Sequence, residues 1–195
     1  MINLENEHKH RRSIRLPEYD YSQSGAYFIT IVTQNRVCLF GSIMEGVMVL
    51  NDAGKMIDLV CHEIPKVLKG VELNHYQIMP NHFHGIIILN PEHNVGADLR
   101  VCPGQPQRVA PTRNSIGLYD TVQRFKSLTT RRYIDGVKNQ NWPRFNNRLW
   151  QRNYYERVIR NDREHQALVD YIFANPTNWE KDQENLSQHK LHDKD

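Results

Sequence analysis

HYQIMPNHFHGIIIL (75–89) decides the fold. HYQIM (75–79) and HFHGIIIL (82–89) both read as strands, and only Pro80-Asn81 separates them. Pro presets φ and Asn tolerates tight turns, so this spacing predicts an antiparallel hairpin. Side chains alternate faces along a strand, so His82 and His84 leave one face while Phe83 enters the other. Ile86 and Ile88 continue the histidine face, which puts the pair where an apolar core gives way to polar surface.

Outward toward the N-terminus, GAYFITIVT (25–33) is apolar on both faces and reads as a central buried strand. Asn51 is a capping candidate for a helix with Ile57, Val60, Cys61 and Ile64 at helical spacing, and Pro65 is expected to end or kink it. Toward the C-terminus, residues 91–115 are rich in Pro, Gly, Gln and Arg without periodicity and read as a long mobile loop. A helix is expected over 115–134, with Leu118, Val122 and Phe125 on one face and Arg124 and Arg131 sharing another. RLWQRNYYERVI (148–159) reads as a strand. Asn161 and Glu164 then form a capping box for a last helix that Pro176 closes. Residues 1–20 read as a mobile basic arm, and 180–195 as a charged, frayed tail. Hairpins mixed with helices predict an α+β domain over 21–179: an antiparallel sheet of four to five strands with packed helices.

The chain has 195 residues, 39% of them hydrophobic, enough for one domain with a core. No apolar run is long enough for an ordinary membrane span, and MINLENEHKHRRSIRLPEYD lacks the apolar centre of a signal peptide. Cys38, Cys61 and Cys102 form no CxxC pair, so a cytoplasmic location is expected. The net charge of +3 hides a block from Arg100 to Arg163 with 14 Lys and Arg against 4 Asp and Glu. Such a block suits a polyanion, because each neutralised phosphate releases counterions; it also suits a plain solvated face.

Two parallel imidazoles can hold a divalent ion, although histidines at this spacing are also common without one. VDYIFANP (169–176) offers further groups: Tyr171 and Asn175 are four residues apart, on one helical face. A core aromatic and a helix-ending Asn would look the same, and spacing leaves that open.

MPNHFHGII (79–87) together with RNDREHQALVDYIFANPTNW (160–179) resembles the REP-associated tyrosine transposases. These are the single-tyrosine branch of the HUH nucleases, named for histidine, hydrophobic residue, histidine. RRSIRLPEYDYSQSGAYFITIVTQNR (11–36) is similar to this family's first strand, and the likeness covers 11–36, 47–90 and 115–179. The resemblance implies a ferredoxin-like, HUH-type fold with His82 and His84 on the metal, Tyr171 as nucleophile, and Asn175 completing the metal shell. It implies cleavage and rejoining of single-stranded DNA beside hairpins, through a 5′-phosphotyrosine and a free 3′-hydroxyl. Phosphate chemistry favours Mg²⁺ or Mn²⁺, and the imidazoles tilt binding toward Mn²⁺. Arg124, Lys126, Arg131 and Arg132, with Arg11, Arg12 and Arg15 of the arm, are expected along the DNA backbone. A monomer or homodimer is expected. A hairpin-binding protein that no longer cuts, and a metal-dependent hydrolase using water, are the alternatives.

Overall fold

The computed structural model describes residues 20–90 and 116–185. The predicted loop at 91–115, and Arg11, Arg12 and Arg15 of the predicted arm, lie outside them. In chain order the elements are β1 (Gly25–Val32), β2 (Gly41–Met44), β3 (Val47–Leu50), α1 (Asp52–Val67) and β4 (Val71–Ile78). Then follow β5 (His82–Leu89), α2 (Leu118–Asn139), β6 (Tyr155–Ile159) and α3 (Asp162–Ala174).

The 75–89 hairpin forms, and its second strand has the predicted bounds. Its first strand starts earlier, at Val71, with an irregularity between Leu73 and Tyr76. β1 pairs with both β5 and β6, so the four-stranded sheet runs β4-β5-β1-β6, antiparallel throughout. That makes β1 and β5 the central strands, as their near-continuous apolar runs demand.

The two faces of the sheet are covered differently. Tyr27, Ile29, Ile31, Phe83, Ile87 and Leu89 point into the main core, against Ile57, Val60 and Ile64 of α1 and Leu118, Val122 and Phe125 of α2. Phe28 and Ile86 point the other way, into a small cluster with Val169 and Ile172 of α3. Gly85 lies beside the ring of Phe83: a Cβ there would come within 2.8 Å of it. The glycine thus lets Phe83 fold along its own strand while the neighbouring histidines face away.

Asn51 caps α1 by accepting from Gly54 N–H at 2.9 Å. Pro65 does not end the helix; it sits in the last turn, where it removes one N–H, and the helix continues to Val67. α2 begins at Leu118 and runs to Asn139, five residues beyond the predicted Ile134. β2 and β3, a hairpin not expected from the sequence, turn at Glu45 (φ 51°) and Gly46 (φ 76°). Two left-handed residues make the turn that matches strand twist, but Glu-Gly is a weak signal for it.

The predicted strand at 148–159 is corrected: only Tyr155–Ile159 is strand, and Trp150 makes an isolated bridge with Thr33. The cause lies in α2. The Lys126 ammonium donates to the carbonyls of Gln151, Arg152 and Asn153 at 3.0, 3.2 and 3.4 Å, which turns that backbone out of the ladder. The frayed tail is corrected as well, through Asn185. A 3-10 turn at Trp179–Lys181 packs back on the domain, Glu184 pairs with Arg36 at 2.6 Å, and Asn185 is buried.

Candidate metal centre

The face of the sheet opposite the main core carries the site. Register places Thr30 of β1 beside His84 and Val32 beside His82. Both imidazoles are buried, His82 at 0% and His84 at 3% exposure. They sit deeper than the boundary position their spacing suggests, because Phe28 and Tyr171 pack on His84 while Trp179 and Asp182 lie against His82. Their ring centroids are 4.5 Å apart.

Each ring has one nitrogen engaged and one without a partner. His82 Nδ1 lies 2.9 Å from Asn81 Oδ1, and His84 Nδ1 lies 2.8 Å from Thr30 Oγ1. Both Nε2 atoms are buried with no hydrogen-bond partner. Burial pushes both imidazoles down toward the neutral form, His84 to about 3, and the proximity of His84 depresses His82 further. Neutral imidazoles with one nitrogen held and the other bare are what a cation requires.

Asp182 completes a cluster, its carboxylate within 4.8 Å of the two histidine nitrogens. The 3.8 Å between Asp182 Oδ2 and His82 Nε2 is too long for a hydrogen bond. Burial raises the Asp182 carboxyl; the hydrogen bond it accepts from Glu184 N–H lowers it, and the Glu184 charge raises it. A donor set of two imidazole nitrogens and a carboxylate oxygen fits a divalent first-row cation.

Tyr171 projects from α3 toward the same place. Its ring is 5.3 Å from His84 and 5.9 Å from Phe28, while Phe28 stacks on His84 at 5.5 Å. Phe28 therefore props both groups. Burial raises the Tyr171 phenol above its ordinary value, a hydrogen bond with Asn175 lowers it, and the charges of Asp182 and Glu184 raise it. Asn175 caps α3 with helical dihedrals and is buried at 3% exposure. A broad groove is lined by Thr30 and Val32, the β1 residues paired with the two histidines, and by Gln151, Arg152, Tyr155 and Glu184.

Of the residues predicted for the site, His82, His84, Tyr171 and Asn175 therefore gather on one face of the sheet. Asp182 was missed, since it follows α3 in a segment without apolar periodicity. Trp179 was the available signal: its ring lies 6.0 Å from His82 and anchors that segment. Asn81 was read as a turn former only. Among the predicted DNA contacts, Arg124 and Arg131 are exposed on α2. Arg132 is held by Glu63 of α1 through two bonds, at 2.6 and 3.1 Å. Lys126 is buried and committed to its three carbonyls, with burial lowering its ammonium to about 8.

Two stability predictions follow from these burials. Lys126→Met keeps the stem but strands three carbonyls, so urea unfolding should show a loss of about 2–4 kcal/mol. A change within about 0.5 kcal/mol would mean that the ammonium is a surface charge free to meet phosphate. The second concerns pH. An unfolded histidine binds its proton near pH ~6.5, whereas folded His84 resists protonation down to about 3. Between those values the unfolded chain binds more protons, so stability must fall as pH falls through that window. At pH 5 the cost is about 2 kcal/mol for one such imidazole, and His82 adds to it in the same direction. Urea midpoints that stay level from pH 7 to pH 4.5 would show that the imidazoles are not held neutral.

No protein-family model matches the chain. The chain is 38% identical over 181 residues to an uncharacterized protein of Haemophilus influenzae (strain ATCC 51907 / DSM 11121 / KW20 / Rd), covering 89% of this chain and 92% of that one. Among solved structures, it is similar to a REP-associated tyrosine transposase bound to a REP hairpin, with a TM-score of 0.52 and 20% identity. That match covers 84% of this chain and 74% of the other, and it establishes a shared fold.

Proposed function

We propose that this chain, which belongs to one family with the Haemophilus influenzae protein, is a metal-dependent enzyme that cuts single-stranded DNA beside hairpins and rejoins it through Tyr171. The observation that carries this reading is a phenol packed against His84, one of two adjoining buried, neutral imidazoles whose Nε2 atoms have no partner. The fold neighbour's REP hairpin supplies the class of substrate to test.

In this reading His82, His84 and Asp182 hold Mg²⁺ or Mn²⁺. The hydrogen bond between Tyr171 and Asn175 favours the ionised phenol, as it does when the amide N–H donates. The Asn175 carbonyl oxygen would then be left to join His82, His84 and Asp182 in holding the ion. When bound, a divalent ion supplies positive charge beside the scissile phosphate and stabilises the displacement.

The chain's own groups do the rest. Tyr171 stands on the rigid α3 helix, propped by Phe28, so its oxygen is aimed before substrate arrives. The phenol gives up its proton as its oxygen attacks phosphorus, the bond to the 3′ oxygen breaks, and that oxygen takes up a proton from solvent; one strand departs with a 3′-hydroxyl while the 5′ phosphate of the other stays on Tyr171. Reversal by a second 3′-hydroxyl rejoins the strand and needs no nucleotide, because the ester bond is conserved. Arg124 and Arg131 run along the DNA backbone, and Arg11, Arg12 and Arg15 extend that contact. Lys126 and Arg132 support this surface from within: Lys126 by shaping the groove wall at 151–153, Arg132 by tying α2 to α1.

The test is one incubation of the protein with Mn²⁺ and end-labelled DNA carrying a hairpin and a single-stranded flank, resolved on a denaturing gel. A protein–DNA species on the 5′ side of the cut is the expected result. Cleaved DNA without it would favour a water nucleophile, and retained DNA without cleavage a binding protein.

A further inference from the structure

Asn81 lies in the hairpin turn between β4 and β5, wholly buried, and its side-chain amide makes three contacts. Its Nδ2 sits 3.0 Å from the Arg36 carbonyl and 2.7 Å from the Glu184 carbonyl. Its Oδ1 sits 2.9 Å from His82 Nδ1. Carbonyl oxygens carry no proton, so the amide atom facing two of them must be the NH₂ group. The atom facing His82 is therefore the carbonyl oxygen, which can only accept. His82 Nδ1 must bear the proton, and the lone pair falls on Nε2, the atom that faces Asp182.

We propose that Asn81 is a positioning residue with two linked tasks: it sets the tautomer of His82, and it clasps the 179–185 segment that brings Asp182 to the site. The proposal rests on the metal-site reading above. Each half depends on the other through a single planar amide. If Asn81 rotates to release Glu184, it presents N–H to His82 Nδ1 and forces the proton onto Nε2. The first and third donors of the cluster are thus assembled together. The backbone of the turn is pinned to match: Thr33 N–H donates to the Asn81 carbonyl at 2.8 Å, and Leu39 N–H donates to the Pro80 carbonyl at 2.8 Å.

The experiment compares wild type, Asn81→Ala, Asn81→Asp and Arg36→Ala. It reads the His82 tautomer by imidazole ¹⁵N shifts in metal-free protein, Mn²⁺ affinity by calorimetry, and tryptic cutting after Lys181. Wild type should show proton on Nδ1 at His82. Asn81→Ala should show mixed tautomers, Mn²⁺ binding weaker by about 10–100-fold, and faster cutting after Lys181. Asn81→Asp keeps an acceptor for Nδ1–H but cannot donate to either carbonyl, so it should keep the tautomer and loosen the segment. Arg36→Ala removes the Glu184 ion pair and leaves the backbone carbonyl in place, so the tautomer should be unchanged. A wild-type tautomer together with wild-type Mn²⁺ affinity in Asn81→Ala overturns the proposal. If Asn81→Ala does not fold, Asn81→Asp decides it: a changed tautomer there overturns the proposal, and a retained one with a loosened segment supports it. Absence of Mn²⁺ binding in wild type would defeat the metal-site reading, while the tautomer and tryptic results would still judge Asn81.

Discussion

Tyr171→Phe should abolish the covalent protein–DNA species and lower strand cleavage by at least about 10⁴-fold, with hairpin binding retained. The substitution removes one oxygen and keeps the ring that packs on Phe28 and His84. Tyr171 is 48% exposed, so a strand can reach the residue while its ring stays packed on Phe28 and His84. The change also frees Asn175 from its hydrogen bond with the phenol. Thermal stability should therefore change little. An adduct that survives in Tyr171→Phe would pass the nucleophile to another tyrosine, with Tyr155, which packs on the same Phe28, the first to test. Normal cleavage without an adduct in either protein would establish water as the nucleophile.

His84→Ala should lower metal-dependent cleavage by about 10³-fold or more and leave hairpin affinity near wild type. The histidine binds neither base nor phosphate in the proposed mechanism, so binding and chemistry should separate. The same variant has a second, opposite signature. Part of the acid sensitivity between pH 6.5 and 4.5 belongs to this buried imidazole, so the stability–pH curve of His84→Ala should flatten relative to wild type. Its stability at pH 7 should fall, because removal of the ring leaves a cavity beside Phe28 and takes the partner from the Thr30 hydroxyl. Cleavage at the wild-type rate in metal-stripped protein with Mg²⁺ restored would reject His84 as a ligand. A curve as steep as wild type would place the acid-sensitive group elsewhere.

Much of the fold was legible because it is local. Two residues between apolar runs can only make a hairpin, and period-two alternation then sends His82 and His84 to one face and Phe83 to the other. Asn51 and Asn161 announce their helices through side chains that reach only three residues. Tyr171 and Asn175 share a face for the same reason, since one helical turn separates them. Where local signals were weak or overruled, the reading failed. Glu45-Gly46 is a poor advertisement for a turn, and the strand predicted at 148–159 loses its first half to Lys126, which lies far away in the sequence.

The residues alone determined the α+β class, the histidine face and the helix that carries Tyr171, all through periodicities that neighbouring residues impose. Only the tertiary structure decided that this helix packs on the face bearing the histidines rather than on the main core. It also decided that a polar segment after that helix folds back to bring Asp182 beside His82. Periodicity is a property of one element, whereas these two outcomes depend on which surfaces remain open once α1 and α2 have covered the other face. The Trp179 ring and the amide of Asn81 then hold the returning segment in place, through contacts that no sequence spacing records.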